Sequence, residues 1–299
     1  MRVFVTGATG FIGTALIPRL VTRGHQVVAL VRAGSQPSAL NGPGLRVVHG
    51  DLEGIAGLDL GLDGVDAAIH MAFESDSPGD PERCTRTNVA GTQRLTESCR
   101  SARVRRFIYL STLTVTRRGL GNYGLTKLAA EEVVRASGLD FTIFRPCLVY
   151  GPGTRGVFPR LVRHLKSLPI VPILGPVTVP LKPIFIEDLI RMILSCLESD
   201  RGIGRTYDAT GPDTVSFNKL LDLVSRELGV KRLKLHLPFR LALSLARAAE
   251  SVFRNPPISV DNVLGMNHPP SAHPEPTWKE LGLVPTRLYD GLHATFNRQ

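Results

Sequence analysis

Apolar positions along the chain follow two alternating spacings. Val3-Phe4-Val5 is a short unbroken apolar run, as expected of a strand buried on both faces. A glycine-rich turn follows, and then Phe11, Ile12, Ala15, Leu16 and Leu20 recur at helical spacing, with Gly24 placed as a helix C-cap. Further strand patterns lie at Val27–Val31, Arg46–His49, Ala67–His70, Arg106–Leu110 and Phe141–Phe144. A helix opens at Thr87–Thr92 and runs to about Arg103, and another covers Tyr123–Val134. Strand and helix alternating in this way predict an α/β fold with a doubly wound parallel sheet and right-handed crossovers.

Beyond Tyr150-Gly151-Pro152-Gly153 the style changes. Prolines become dense (Pro159, Pro169, Pro172, Pro176, Pro180, Pro183), strands look short, and helical patterns recur at about 186–198, 216–228 and 238–252. This divides the chain into a dinucleotide-binding domain over 1–153 and a smaller substrate lobe over 154–299, some of whose segments return to the sheet. The stretch from Phe239 to Arg254 reads as a basic amphipathic helix. Burial against the lobe is expected of it, with a place on a membrane surface as the alternative. Trp278, Leu281 and Leu283 are expected to dock the tail on the body.

The first turn carries the first chemistry. Gly7 permits a tight turn off the strand, Gly10 lets a pyrophosphate approach the backbone, and Gly13 lets the helix pack close to the sheet. Thr9, Phe11 and Ile12 complete that turn, where unpaired amides and the helix dipole favour an anion. At the end of the second strand Val31 is followed by Arg32, with no acid to bind a ribose 2′-hydroxyl. A guanidinium suits a 2′-phosphate, so NADP (as NADPH) is expected over NAD. An ordinary surface arginine is the plain alternative. Asp51, followed by Leu52, faces the ligand crevice at the end of the third strand and can accept from an adenine amine or cap the next turn. Met71 and Ala72 follow the fourth strand into the same crevice, as Pro146 follows the sixth. His70 is expected to be a satisfied structural polar residue rather than a catalyst.

Tyr123 and Lys127 are four apart on one helix and share a face. Thr112 ends the preceding strand. A free phenol near pKa ~10 is a poor base at neutral pH, and a neighbouring ammonium favours its phenolate. Tyr123 is therefore the candidate proton carrier of a hydride transfer. Lys127 would tune it and hold the nicotinamide ribose, and Thr112 would bind the substrate oxygen. An exposed i,i+4 surface pair is the alternative.

These stretches resemble the extended short-chain dehydrogenases/reductases, which include nucleotide-sugar epimerases, dehydratases and ketone reductases. The resemblance rests on Thr6 to Gly13, Gly50-Asp51-Leu52, His70-Met71-Ala72, Asn88 to Thr92, Tyr123 to Lys127, and Arg145-Pro146 to Gly153. Phe185 to Leu189 and Ser216 to Gly229 resemble later family elements. It implies Thr112, Tyr123 and Lys127 as the catalytic set, supported by Asn88. Ser111-Thr112 stands where the family often has paired serines, and only ten residues separate Thr112 from Tyr123. That short span argues against a nucleotide-sugar substrate. Together with Arg32 and Pro256-Pro257-Ile258-Ser259, it resembles atypical members such as the nucleotide-binding accessory subunit of respiratory complex I. Two readings follow: an NADP-preferring oxidoreductase or epimerase acting on a small molecule, and an NADPH-binding structural or sensor protein without turnover.

Bulk composition removes other classes. The formal charge is +10, but the basic residues are spread out, with short clusters at Arg103–Arg106 and Lys231–Lys234 and no interleaved aromatics. Nucleic acid is not expected as a partner. No apolar run approaches ~20 residues, so no membrane span is expected. The start reads as a strand rather than a signal peptide. Cys84, Cys99, Cys147 and Cys196 form no CxxC pair, which fits a reduced cytoplasmic setting and no metal site. A homodimer is compatible with this reading.

Overall fold

A computed structural model describes residues 1–35, 40, 42–54, 56–74, 81–117, 120–153, 157–174, 180–253, 260, 263 and 272–297. Pro256 to Ser259 lie outside the described residues.

The core is a seven-stranded, all-parallel sheet. Its strands are β1 (Arg2–Thr6), β2 (Gln26–Val31), β3 (Leu45–His49), β4 (Ala67–His70), β5 (Arg106–Leu110), β6 (Asp140–Pro146) and a late strand, Arg205–Ala209. Their spatial order is late strand, β6, β5, β4, β1, β2, β3. The order reverses between β1 and β4, and in such sheets the ligand crevice lies there, beyond the carboxyl ends of the strands. β1, β4 and β5 are buried along nearly their whole length, because helices cover both faces.

On one face the core includes Val3, Val5, Leu16, Ile69 and Ile108, and on the other Phe4, Leu58, Leu95, Phe107 and Ile143. The residues alternate along β1 and β5, as period-2 side chains require. Helix α1 (Phe11–Thr22) ends at Gly24, whose φ of +81° gives the left-handed turn expected of it. The helix Ile186–Leu197 packs beside α1, and the large first core runs without a break into the later half of the chain. Trp278 and Leu281 are buried on this core, and the Trp278 indole donates to the Thr210 carbonyl at 3.1 Å.

Two later elements depart from expectation. The helix expected from Thr87 starts at Pro81, passes through a π-helical turn at Arg86–Ala90, and continues as Gly91–Ser101. Thr92 donates its hydroxyl to the Asn88 carbonyl at 2.6 Å within this widened turn. Such turns carry no apolar periodicity of their own, and they often mark functional positions. The basic helix Phe239–Val252 buries only Ala242 and Ala246, in a small separate cluster with Val263. Leu241 and Leu245 are about half exposed, so the helix is not sunk into the lobe as expected.

Candidate active site

The turn from β1 to α1 depends on its glycines. Gly7 has φ +72°, and a Cβ there would lie 2.8 Å from the backbone of Met71 and Ala72. A Cβ on Gly13 would lie 2.3 Å from the Gly7 carbonyl oxygen, so no side chain fits where α1 meets the turn. Gly10 differs: a Cβ would meet only the Gly7 oxygen, at 3.1 Å, and otherwise open space. The helix that follows has no side-chain cap and no acid in its first turn. Its free amides and open approach suit a pyrophosphate. Phe11 and Ile12 pack partly into the core, which fixes the turn; Thr9 is part-buried between the glycines.

Around the crevice, Arg32 lies exposed at the end of β2 and pairs with Glu74 at 3.3 Å. Arg83 approaches the same carboxylate at 3.6 Å. Asp51 accepts from the amides of Glu53 and Gly54, each at 2.8 Å through Oδ1, so one of its oxygens caps the turn. Leu52 is buried against Gly91, where a Cβ would come within 2.8 Å of it. Pro146 is buried at the end of β6.

His70 is enclosed by hydroxyls rather than by backbone groups. Thr6 Oγ1 accepts from the amides of Met71 (3.2 Å) and Ala72 (3.1 Å), so its own proton points to His70 Nδ1 at 2.7 Å. Nε2 then carries the ring proton and donates to Thr92 Oγ1 at 3.0 Å. Burial, with Lys127 nearby, lowers the His70 pKa to about 3. The imidazole is a neutral structural link between β1, β4 and the π turn.

The three candidate catalytic residues converge. Thr112 follows the end of β5, near enough to the Tyr123 phenol to favour its ionisation; its hydroxyl donates to Thr114 Oγ1 at 3.2 Å and accepts from the Thr114 amide at 3.3 Å. Tyr123 stands in the first turn of the helix Asn122–Ala136, capped by Gly121, and its ring lies 5.7 Å from that of Phe73. Lys127, one turn on, is fully buried; its Nζ donates to the Leu110 carbonyl at 2.5 Å and lies 4.3 Å above the Tyr109 ring. Asn88 joins the π turn to this helix. Its Oδ1 accepts from the Glu74 amide at 2.8 Å, and its Nδ2 donates to the Glu74 carbonyl at 3.0 Å and to Thr126 Oγ1 at 3.2 Å.

The electrostatics differ from the sequence expectation. Burial raises the Tyr123 pKa, and the opposing influence comes from Thr112 rather than from Lys127. Lys127 itself is brought down to about 7 by burial, against the attraction of Glu131. Lys127 therefore gives up its proton far more readily than an exposed lysine.

Glu131 was not anticipated from the sequence. Its buried carboxylate accepts from Ser111 at 2.5 Å, from Arg145 at 2.9 and 2.6 Å, and from Arg135 at 2.8 Å. The readable signal was its spacing: it continues the Tyr123–Lys127 row at the next i+4 position, between buried Ala130 and Val134. Among the described residues no group of three or more metal-ligating side chains occurs, and no helix is long and apolar enough to cross a membrane.

A model of the NAD dependent epimerase/dehydratase family matches residues 3–209. The 4-hydroxy-2-methyl-3-oxo-4-farnesyl-3,4-dihydroquinoline-1-oxide ketoreductase of Stigmatella aurantiaca is 28% identical over 273 residues, covering 85% of this chain and 81% of that one. The 2-alkyl-3-oxoalkanoate reductase of Stenotrophomonas maltophilia is 34% identical over 188 residues, 56% of each chain. The NAD-bound crystal structure of DesIV, a dTDP-glucose 4,6-dehydratase of Streptomyces venezuelae, superposes with a TM-score of 0.81 at 25% identity, over 99% of this chain and 96% of that one. The chain belongs to the NAD dependent epimerase/dehydratase family, as an NAD(P)-dependent oxidoreductase or epimerase of the extended short-chain type.

Proposed function

We propose that this protein is an NADPH-dependent reductase of a ketone on a small molecule, with residues 154–299 supplying the substrate lobe. The observation that carries the reading is the meeting of Thr112 and Tyr123 at the carboxyl edge of β5, with Lys127 buried one turn away. Burial keeps the phenol protonated at neutral pH, which makes Tyr123 a proton donor and suits the reductive direction. Tyr123 gives its proton to the ketone oxygen, and Thr112 hydrogen-bonds that oxygen so that its developing charge is shared. Lys127 would stabilise the resulting phenolate and hold the nicotinamide ribose. A bound reduced nicotinamide supplies the hydride.

Gly7, Thr9, Gly10, Phe11, Ile12 and Gly13 would cradle the pyrophosphate. Asp51 and Leu52 would border the adenine, while Met71, Ala72, Asn88 and Pro146 would line the path to the nicotinamide. Arg32 favours the 2′-phosphate form, since a guanidinium binds a phosphate dianion well and its present partner Glu74 holds it only at 3.3 Å on the surface. Two of the relatives above are named as reductases of oxo compounds. The ten-residue span between Thr112 and Tyr123 leaves a small wall, which suits a compact ketone better than a nucleotide sugar.

The test is NADPH and NADH oxidation by the purified protein against aliphatic and cyclic ketones, with UDP-glucose and dTDP-glucose in parallel. Reduction of a ketone with NADPH preferred supports the reading. Turnover of a nucleotide sugar alone, or equal use of NADH, overturns it.

A further inference from the structure

Arg117 lies between the two hydroxyls of the site, five residues after Thr112 and six before Tyr123. It closes the short 3-10 turn Leu113–Thr116, and its amide donates to the Thr114 carbonyl at 3.1 Å. Leu113 and Val115 are buried, so this turn is pinned to the body. The side chain is part-buried, and its Nε–H is sealed from solvent with no hydrogen-bond acceptor among the described residues. Sealed donors without partners are rare.

Among the described residues, the Cys147 thiol is the group that favours this charge, and no carboxylate pairs with it. Cys147 follows Pro146 at the end of β6, so Arg117 stands over the same sheet edge as Thr112. The thiol is no counter-ion: burial pushes its pKa up, beyond what the neighbouring amides and Arg117 recover, and it stays neutral. An arginine stays charged in such a setting. It is kept beside a substrate site where the substrate brings the missing negative charge.

We propose that Arg117 binds a carboxylate on the ketone substrate, so that the natural substrates are oxo acids. This rests on the ketone-reductase reading above and names the substrate class. A planar carboxylate takes two parallel N–H groups of a guanidinium at once. The resting side chain leaves Nε unused, and a carboxylate that draws the guanidinium outward pairs with Nε–H and one Nη–H together. The ketone oxygen of the same molecule then meets Thr112 and Tyr123, which fixes which carbonyl is reduced.

The test separates binding from turnover. Isothermal titration measures octanoate, octyl phosphate and octanol on the NADP-loaded wild type, Arg117→Gln and Arg117→Lys. Octanoate should bind the wild type, lose roughly 10–100-fold in Arg117→Gln, the worth of charged hydrogen bonds, and recover in part in Arg117→Lys. Octanol should bind all three alike. In turnover, 3-oxooctanoate should have a lower KM than its methyl ester in the wild type, and that difference should vanish in Arg117→Gln with the ester unaffected. Equal losses for octanoate and octanol would mark Arg117 as structural and overturn the proposal. So would no octanoate binding to the wild type, or octyl phosphate binding ten-fold tighter than octanoate. If octanoate binding depends on Arg117 while neither the acid nor the ester is reduced, the site proposal stands and the reductase reading fails.

Discussion

The Ser111 hydroxyl donates to the Glu131 carboxylate at 2.5 Å, which ties the residue beside Thr112 to the helix that carries Tyr123 and Lys127. Arg145, on β6, closes the link from the other side with two bonds to the same carboxylate. The distance between the Thr112 and Tyr123 hydroxyls is therefore set by a buried ion cluster as well as by the chain between them.

Glu131→Gln should destabilise the fold by about 3 kcal/mol, the low end for a broken buried pair, because Arg135 and Arg145 keep partial access to water. Burial pushes the Glu131 carboxyl up, but the bonds from Arg145, Ser111 and Arg135 outweigh it and hold the pKa below 4.5. Its contribution is therefore complete above pH 4.5 and lost as pH falls through the lower folded value. Urea unfolding at pH 7 and at pH 4 checks this: the cost of the substitution should be smaller at the lower pH.

Cofactor choice should reside in Arg32. At equal concentration NADPH should raise the melting temperature more than NADH, because only the native state binds it. Arg32→Asp should reverse the order. A larger NADH shift in the wild type would count against the 2′-phosphate role.

The two glycines of the turn should behave differently. Gly13→Ala should destabilise the apo protein, since the new Cβ would sit 2.3 Å from a carbonyl oxygen. Gly10→Val should fold, as the space above Gly10 is open, yet bind no cofactor. Apo melting temperatures and cofactor titrations of both variants decide the matter; a Gly10→Val protein that still binds NADPH would place the pyrophosphate elsewhere.

Tyr123→Phe should lower kcat by roughly 10²–10⁴ with cofactor Kd little changed. Lys127→Met should also lose turnover, and it should stabilise the apo protein. Lys127 falls from 10.5 unfolded to about 7 folded, so its burial penalty is complete below pH 7 and fades as pH rises to 10.5. The gain in Lys127→Met should be largest in that acid range. A gain that grows with pH would contradict the assignment.

His70 supplies an acid-side prediction. Its pKa is about 3 folded against 6.5 unfolded, so between these values the unfolded chain holds one more proton than the native one. Stability should fall as pH drops through this window, by at most about 1.4 kcal/mol per pH unit from this group. His70→Gln should flatten the slope, read from chemical denaturation at pH 3.5, 5 and 6.5.

Much of the frame was legible because it obeys simple periods. Val3–Val5 and Phe107–Leu110 read as buried strands, and Gly7, Gly10 and Gly13 read as a turn, because each residue type answers a local steric demand. Tyr123 and Lys127 share a face by spacing alone. What did not show was long-range pairing. Glu131 looks like an ordinary exposed helix acid until Arg145, fourteen residues on, and Ser111, twenty residues back, are folded against it. Arg117 reads as a loop arginine until its Nε–H is seen to be sealed without an acceptor among the described residues. The π turn at Asn88 was hidden because an extra residue in a helix leaves its composition unchanged.

The late strand has a consequence for how the chain is made. Arg205–Ala209 hydrogen-bonds along β6, with Thr142 donating to the Gly202 carbonyl at 2.7 Å and the Gly204 amide to the Phe141 carbonyl at 2.7 Å. A ribosome that has released the first 153 residues has therefore delivered six strands of the sheet, with β6 still presenting an open row of amides and carbonyls. Until residue 209 emerges that edge is available to any neighbouring strand. The nascent protein is thus most open to mispairing while residues 154–209 are being translated, and an excised fragment 1–153 would retain that edge permanently.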